Sequence, residues 1–244
     1  MAELYLIRHG QASFGAEDYD QLSSLGQTQC ELLGSFFARF MKDSHVFTGT
    51  LKRHHQSMTS FFLGFNGEEG DKSQTVNENV IHRMPELDEF DHEEVLFKAF
   101  PEFKSKSALA AELAKSEYPK KRFHELFELS LARWISGEQD QDYKESWAAF
   151  QQRVSKGFQK LKQFANENAD ELGKKPLVVF TSGGPIAAII KDVMGLSEKA
   201  TFELNENLAN SGVSRILFSN DKQSISYINN YSHLQDKPNL ISYR

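Results

Sequence analysis

The sequence predicts an α/β fold with three layers, in which helices cover both faces of a mostly parallel sheet, and a helical insertion near residues 92–135. Three observations support this fold class. Short apolar runs alternate along the chain with longer segments whose apolar residues recur at helical spacing. The first of these runs is uniformly apolar, which is typical of a strand buried on both faces. A chain of 244 residues is long enough for one such domain with an insertion.

The first part of the chain alternates short apolar runs with helical patterns. Residues 4–7 are apolar and stop shortly before a glycine, which predicts a buried strand. Ser23 or Ser24 can cap the helix that follows. That helix is indicated by apolar residues at helical spacing, namely Leu25, Leu32, Leu33, Phe36, Phe37 and Phe40. A second strand is expected at residues 45–47. A second helix is expected at residues 51–63, with an apolar face that includes Met58, Phe61 and Phe62.

The middle of the chain carries helical patterns without a convincing strand, and we interpret residues 92–135 as a helical insertion. The pattern is clearest at Phe123, Leu126, Phe127, Leu131 and Trp134. A glycine-rich and charged loop at residues 68–72 precedes the insertion. We expect the insertion to form a wall or lid over the functional site.

The last part of the chain returns to the alternation and closes the sheet. A long amphipathic helix is marked by Trp147, Phe150, Val154, Leu161 and Phe164. Residues 177–180 form the clearest predicted strand, and the helix after it should end at Gly195. Two closing strands are expected at residues 213–218 and 225–228, around the turn residues Asn220 and Asp221.

The composition excludes several classes of partner. The formal net charge is -6 and the isoelectric point is about 5.8, so we expect no nucleic-acid partner and no membrane partner. Cys30 is the only cysteine, which excludes an intrachain disulfide and any paired-thiol motif. No apolar run approaches the roughly 18 residues that a membrane span requires. A cytoplasmic protein is therefore expected.

Polar residues stand at the carboxyl ends of three predicted strands. Arg8 and His9 follow the first strand, and Arg53 follows the second after a short turn. Ser182 follows the clearest strand. Ligands of open α/β sheets bind beyond these ends, so we expect the four side chains to lie together. A neutral imidazole is a nucleophile toward phosphorus, guanidinium groups bind phosphoryl oxygens, and Gly10 would let the backbone approach a bound phosphoryl group closely.

Five short motifs follow one another along the chain. They are Leu-Ile-Arg-His-Gly-Gln at residues 6–11, Leu-Ser-Ser-Leu-Gly-Gln at residues 22–27, Leu-Lys-Arg at residues 51–53 followed by Gln56, Leu-Asp-Glu at residues 87–89, and Gly183 with Gly184 after a strand. Their order and types resemble those of the histidine phosphatase superfamily, the phosphoglycerate-mutase-like proteins. The resemblance covers nearly the whole chain. It implies a single phosphoglycerate-mutase-like domain over residues 1–244.

The resemblance implies a role for each matching residue. His9 matches the nucleophile that becomes phosphohistidine, and Arg8 and Arg53 match the arginines that hold the phosphoryl group. Glu89 matches the acid that protonates the leaving oxygen. In-line phosphoryl transfer needs cations around the phosphoryl oxygens and a proton donor at the leaving group, which agrees with these roles. The alternative for Glu89 is a solvated acidic face, because other acidic residues surround it.

Ser182 departs from the pattern, since the resemblance places a second histidine there, in a Thr-His-Gly-Gly context. Residues 181–184 read Thr-Ser-Gly-Gly. We expect Ser182, as the N-cap of a helix, and Gly183 to bind the phosphoryl group through a hydroxyl and backbone amides. The hydroxyl supplies no positive charge, and loss of one preorganised donor costs about a hundredfold to a thousandfold in rate. Ser182→His should restore that rate unless another residue, such as His233 or a cation of the insertion, fills the place.

Two further departures lie at Gly15 and at residues 48–50, where relatives commonly carry other residues. Together with Ser182 they argue against a mutase, which must hold a phosphoryl group and transfer it back to its substrate. The leading hypothesis is a phosphomonoesterase that acts through phosphohistidine and is weak or of unusual specificity. The alternative is a noncatalytic phosphate-binding or interaction protein of the same fold.

The expected ligand is a small phosphorylated substrate or inorganic phosphate, and we expect no cofactor and no metal. Four other histidines could be considered as metal ligands, namely His54, His55, His82 and His92. They lack metal-ligand spacing, and we predict that they are exposed polar residues. The sequence leaves the physiological substrate and the oligomeric state open.

Overall fold

The strands form one mixed sheet in the computed structural model, which describes residues 1–13, 20–67, 81–103, 105–169, 175–219 and 222–243. The strands are β1 (Ala2–Arg8), β2 (His45–Thr48), β3 (His82–Arg83), β4 (Leu177–Thr181), β5 (Val213–Phe218) and β6 (Gln223–Asn230). Their order in the sheet is β3-β2-β4-β1-β5-β6. The first four pair in parallel, whereas β5 runs antiparallel to its neighbours β1 and β6. The predicted α/β class and mostly parallel sheet are confirmed.

Helices lie at the four places where single helices were predicted, with ends that agree within a few residues, and also within the predicted helical insertion. They are α1 (Ser24–Phe37), α2 (Lys52–Asn66), α3 (His92–Ala99), α4 (Lys106–Leu113), α5 (Pro119–Ser136), α6 (Trp147–Glu167), α7 (Gly183–Met194) and α8 (Glu198–Asn207). Two elements were not predicted. Strand β3 has two residues, which is too short for a periodic pattern. Helix α8 did carry a start signal, because the Ser197 hydroxyl accepts a hydrogen bond from the Ala200 amide at its first turn.

Helices cover both faces of the sheet. Tyr5 of β1 points to one face, where it belongs to a buried cluster with residues of α1 and α2, among them Leu33, Phe37, Met58 and Phe61. On the other face, Phe47 of β2 packs edge-on against Phe164 of α6, with ring centroids 5.1 Å apart. Successive side chains of a strand point to opposite faces, so buried strands of this kind need helices on both sides. The result is the predicted set of three layers.

Helices α1 and α2 pack with their backbones in direct contact. A Cβ atom on Gly34 of α1 would lie 1.8 Å from the carbonyl oxygen of Phe61, and one on Gly64 of α2 would lie 1.9 Å from that of Glu31. A side chain at either position would therefore force the helices apart. This contact fixes α2, and with it Arg53 at its first turn, against α1.

The start of α1 agrees with the prediction and its end does not. The Ser23 hydroxyl accepts a hydrogen bond from the Gly26 amide at 3.1 Å, so Ser23 is the N-cap. Phe40 was predicted to lie on the buried face of this helix, and that prediction is wrong. The helix ends at Phe37, and Phe40 donates its amide to the Phe37 carbonyl in a tighter turn. The tighter turn rotates Phe40 off the apolar face and leaves it 55% exposed.

The chain divides into two compact units, Met1–Glu89 with Val154–Arg244, and Phe90–Arg153. Within the described residues of the second unit, residues 92–135 contain helices and no strand, as predicted. Their apolar residues form a small buried cluster around Leu96, Leu109 and Leu126. The grouping of residues 1–244 in one domain and the role of the insertion as a wall or lid stay predictions.

In the part of the chain that the structure describes, no helix combines the length and the apolar composition that crossing a bilayer would require. Gly15, the loop at residues 68–72, and the turn residues Asn220 and Asp221 lie outside the described residues.

Candidate active site

The residues that follow β1, β2 and β4 lie together at one edge of the sheet, because these strands are parallel neighbours. Arg8 pairs in register with Thr181, and the His9 amide donates a hydrogen bond to the Thr181 carbonyl at 2.8 Å. The Gly49 amide, after β2, donates to the Phe180 carbonyl at 3.0 Å. The strand register therefore brings the turns after Arg8, Thr48 and Thr181 side by side, as predicted from the topology.

His9 is held as a neutral imidazole of defined tautomer. Its side chain is buried, and Nδ1 lies 2.7 Å from the Gly10 carbonyl oxygen. Since a carbonyl oxygen only accepts, Nδ1 carries the hydrogen and Nε2 keeps its lone pair. Burial, and then the positive charges of Arg53 and Arg8, hold the pKa of His9 well below the usual 6.5. The group is therefore neutral at physiological pH, with Nε2 available as a nucleophile.

The two arginines flank this imidazole. Arg53, at the first turn of α2, is only 6% exposed, and its Nη1 donates to the Asp20 carboxylate at 2.8 Å. Arg8 donates to the carbonyl oxygen of Leu208. The Arg8 guanidinium also lies against the start of α7, since a Cβ atom on Gly183 would be 3.5 Å from Arg8 Nε. Both arginines therefore lie at the strand edge, where their charges act on His9.

Gly10 is needed for a close approach within the protein. A Cβ atom at this position would lie 2.2 Å from the Gly26 carbonyl oxygen, so the turn after His9 presses against the first turn of α1. The Gly10 amide donates to the Ser57 hydroxyl at 3.1 Å. We predicted that Gly10 gives room for a phosphoryl group. The described contacts show that a side chain is excluded at residue 10 by the close packing against Gly26.

Ser182 occupies the N-cap position of α7, but its hydroxyl does not cap the helix. The side chain is fully buried, and Oγ lies 2.6 Å from His54 Nε2. The prediction of a capping hydroxyl is therefore corrected, because the stronger partner for that hydroxyl is an imidazole. The Gly184 amide of the first turn donates instead to the Glu89 carboxylate at 3.1 Å. This bond places Glu89, the candidate acid, at the N-terminus of α7.

His54 was predicted to be an exposed polar residue, and that prediction is wrong. Its side chain is fully buried, and its ring centroid lies 5.9 Å from that of His9. Nδ1 lies 3.6 Å from the Asp88 carboxylate. The sequence did carry a signal, because Met58 and Phe61 follow His54 at helical spacing on the buried face of α2. Of the other three histidines, His55 and His92 are half-buried and His82 is exposed.

The ionisation of this pair follows from its surroundings. Burial lowers the pKa of His54, and the positive charge of Arg53 acts in the same direction. Burial alone would raise the pKa of Asp88, but the nearby imidazole of His54 and the hydrogen bonds from Thr50 outweigh it and hold that pKa below its usual value. Without a bound ligand, the arrangement is thus a carboxylate, a neutral imidazole and a hydroxyl in sequence.

Asn210 and Ser211, which no sequence motif indicated, support the backbone of His9. The Ser211 amide and the Asn210 side-chain amide both lie 3.3 Å from the His9 carbonyl oxygen and donate to it. Ser211 adopts a positive φ of 57°. Its hydroxyl contacts His233 Nε2 at 2.8 Å, and burial lowers the pKa of His233 to about 4. His233 therefore contacts the support of His9, while the partner of Ser182 is His54.

Solved structures of other proteins share this fold at low sequence identity. A phosphoglycerate mutase from Bacillus anthracis str. Sterne superimposes with a TM-score of 0.62 and 14% identity, over 96% of this chain and 95% of that one. A phosphoserine phosphatase from Entamoeba histolytica, in complex with 3-phosphoglyceric acid, gives 0.57 and 17%, over 96% and 100%. The alpha-ribazole phosphatase from Shigella flexneri gives 0.58 and 15%, over 94% and 96%.

The sequence comparison defines the family. No curated protein sequence matches the chain significantly. The family model described as histidine phosphatase superfamily, branch 1, matches residues 4–231, a range that includes Arg8, His9, Arg53, Glu89 and Ser182. The resemblance inferred from the five motifs is thereby confirmed at the level of the family. The chain belongs to the histidine phosphatase superfamily, branch 1.

Proposed function

We propose that the protein is a phosphomonoesterase that forms a phosphohistidine at His9 and releases inorganic phosphate. The observation that carries this proposal is the buried, neutral imidazole of His9, whose Nδ1–H is bound to Gly10 and which two arginines flank. A noncatalytic phosphate-binding protein would need the arginines and not the nucleophile with its fixed tautomer. The physiological substrate belongs to the class of small phosphomonoesters. The cytoplasmic location stays a prediction.

The proposed reaction has two steps that share one set of groups. Nε2 of His9 attacks phosphorus as the bond to the leaving oxygen breaks, and Glu89 gives its proton to that oxygen. Water then attacks the phosphohistidine and gives a proton to Glu89, and the electron pair of the breaking N–P bond returns to Nε2. Arg8, Arg53 and the Gly183 amide at the start of α7 stabilise the charge on the phosphoryl oxygens in both steps.

The known activities of structural neighbours support this class of reaction. They include a phosphoserine phosphatase and an alpha-ribazole phosphatase, and also a phosphoglycerate mutase. Hydrolysis is favoured here because residue 182 is a serine, so no charged side chain at that position contacts the phosphoryl group directly and retains it between two transfers. In our proposal the same feature makes turnover weak or restricted to particular esters. A protein that binds phosphate without turnover is the alternative that the experiments below distinguish.

The first test is covalent labelling of the full chain. We expect a generic aryl phosphate labelled in the phosphoryl group to leave radioactivity on the protein after a rapid alkaline quench, because phosphohistidine survives alkali and is lost in acid. Peptide mapping should place the label on His9. A label that survives acid and not alkali would place the phosphoryl group on a serine such as Ser182. Phosphate binding without any label or turnover would establish the alternative function.

The second test addresses Glu89 through the leaving group. Glu89→Gln should lower the single-turnover rate of phosphoenzyme formation from an alkyl phosphate by about a hundredfold, within the range that general acid catalysis contributes. The loss should be much smaller for a nitrophenyl phosphate, whose leaving oxygen needs no proton. Glu86→Gln is the matched control, because Glu86 lies in the same acidic run and its carboxylate binds Lys160. Equal losses for the two substrates would show that Glu89 is not the acid.

A further inference from the structure

Two imidazoles meet at the strand edge, although only His9 is used in the reaction proposed above. The second belongs to His54, which enters from α2 and is fully buried. One ring nitrogen of His54 is hydrogen-bonded, and the other faces a carboxylate beyond hydrogen-bond distance. Asp88 lies 3.6 Å from Nδ1 and Ser182 Oγ lies 2.6 Å from Nε2. The ring therefore links a carboxylate to the N-cap residue of α7.

The packing around this ring shows that the fold makes room for it. A Cβ atom on Gly49, in the turn after β2, would lie 2.2 Å from His54 Nδ1 and 2.6 Å from Asp88 Oδ1. A side chain at residue 49 would therefore displace both groups. Asp88 is held in turn by the amide of Thr50, at 2.6 Å, and by the hydroxyl of the same residue. The carboxylate and the imidazole thus have fixed positions that do not depend on a ligand.

We propose that Asp88, His54 and Ser182 form a proton relay through which α2 supplies the phosphoryl pocket with the imidazole that is absent at residue 182. The inference rests on the proposed function, because it names how the same pocket holds a phosphoryl group. The Ser182 hydroxyl, which is buried in the ligand-free protein, comes into contact with the phosphoryl group when that group binds, and His54 is a positioning residue that acts through this hydroxyl. Asp88 orients His54.

The relay has two states that differ by one proton. In the ligand-free state of this relay, the negative charge of the nearby Asp88 favours the tautomer with the hydrogen on Nδ1, and the Ser182 hydroxyl donates to Nε2. When a dianionic phosphoryl group binds, His54 takes up a proton at Nε2 from solvent. Nε2–H then donates to Ser182 Oγ, and the hydroxyl hydrogen turns to a phosphoryl oxygen. The pocket thereby gains a positive charge on the His54 ring, on the far side of the Ser182 hydroxyl from the phosphoryl group.

Among the described residues, the charged and titratable groups that face His54 act on its protonation equilibrium. Asp88 favours the protonated ring, and so does the more distant carboxylate of Asp20. Arg53 favours the neutral ring, and so does burial. The neighbouring ring of His9 is itself neutral in the ligand-free state. A bound dianion adds negative charge, so the protonated state of His54 is favoured only when the pocket is occupied.

The decisive variant is His54→Gln, whose side-chain amide can donate to Ser182 Oγ from the same place but cannot become charged. We expect kcat to fall about tenfold, the difference between a charged and a neutral hydrogen-bond donor. The kcat of the parent protein should decline as pH rises through the pKa that His54 has in the substrate complex. His54→Gln should lack that decline. His55→Ala, one position along α2, is the control and should behave as the parent protein does.

A second measurement does not depend on turnover. Binding of inorganic phosphate near neutral pH is followed by calorimetry in buffers of different ionisation enthalpy, which gives the number of protons taken up. The parent protein should take up more protons than His54→Gln, by up to one per phosphate bound. If the parent protein shows this uptake but no turnover, the relay stands and the phosphatase proposal fails. Equal uptake together with an unchanged pH profile would overturn the relay and leave the phosphatase proposal intact.

A third test moves the imidazole from residue 54 to residue 182. Ser182→His alone should lower kcat, because Ser182 has no exposed surface and a histidine there would overlap the ring of His54. From the sequence alone, Ser182→His was expected to raise kcat if no other residue filled the position of the absent histidine. The structure places His54 there, so we expect a decrease instead. Ser182→His combined with His54→Ala should be more active than either single variant, since the imidazole then has room. Thermal unfolding of all variants identifies any that fail to fold. A gain in kcat from Ser182→His alone would contradict the relay.

Discussion

His9→Ala is expected to abolish phosphatase turnover while phosphate binding survives. Loss of a covalent nucleophile removes several orders of magnitude from kcat in other enzymes, so we expect a decrease of about a thousandfold or more. Arg8, Arg53 and the Gly183 amide at the start of α7 remain in the variant, and inorganic phosphate should still bind. The measurements are steady-state kinetics with an aryl phosphate and calorimetric titration with phosphate. Label on the protein after an alkaline quench should disappear.

His82→Ala serves as the control for this experiment. His82 is likewise followed by an arginine, but it is exposed and stacks on Phe47, with ring centroids 4.7 Å apart. We expect its kcat to equal that of the parent protein. If His9→Ala hydrolysed the aryl phosphate at the parent rate, the assignment of the nucleophile would be wrong. Loss of both turnover and phosphate binding, with the fold intact, would show that His9 mainly binds the anion.

Gly34→Ala is expected to destabilise the protein by about 3 kcal/mol or more, at or above the upper end of the range for overpacked sites. The new Cβ atom would lie 1.8 Å from the Phe61 carbonyl oxygen, and a backbone atom cannot rotate away as a side chain can. Helix propensity alone predicts the opposite sign, since alanine is better than glycine in a helix by about 1 kcal/mol. Urea unfolding of the two proteins therefore separates the explanations by sign.

Gln27→Ala provides the matched control on the exposed side of the same helix. Its stability should stay within about 0.5 kcal/mol of the parent value, as for most exposed substitutions. A Gly34→Ala protein that is as stable as the parent, or more stable, would contradict the direct backbone contact of α1 and α2. If the protein instead loses stability and phosphatase activity together, α2 needs that contact to present Arg53.

The elements that could be predicted from the sequence are those whose signal is local. Residues 4–7 and 177–180 are apolar runs of strand length, and Ser23 marks the start of a helix. The site residues at strand ends were also predictable, because sheet topology places such ends together and the motifs name the residues. Their catalytic roles remain proposals.

The partner of Ser182 could not be predicted, because it depends on packing between distant segments. His54 and Ser182 are 128 residues apart, and only the pairing of β2 with β4 brings α2 beside the start of α7. His54 was predicted to be exposed because it lacks metal-ligand spacing with the other histidines. Likewise, Gly10 and Gly26 follow ordinary turn and helix patterns, and the close contact between them appears only in three dimensions.

The positive φ of Ser211 implies a trade-off between thermal stability and turnover, because Ser211 lies in the turn that supports the His9 carbonyl. A residue other than glycine pays about 1–2 kcal/mol for the left-handed conformation, so this turn is strained in the native state. Glycine at residue 211 would relax the backbone, but it would also remove the hydroxyl that contacts His233 and free the turn that supports the His9 carbonyl. Engineering for heat resistance should therefore leave Ser211 unchanged, because a gain in melting temperature there would loosen the reactive imidazole.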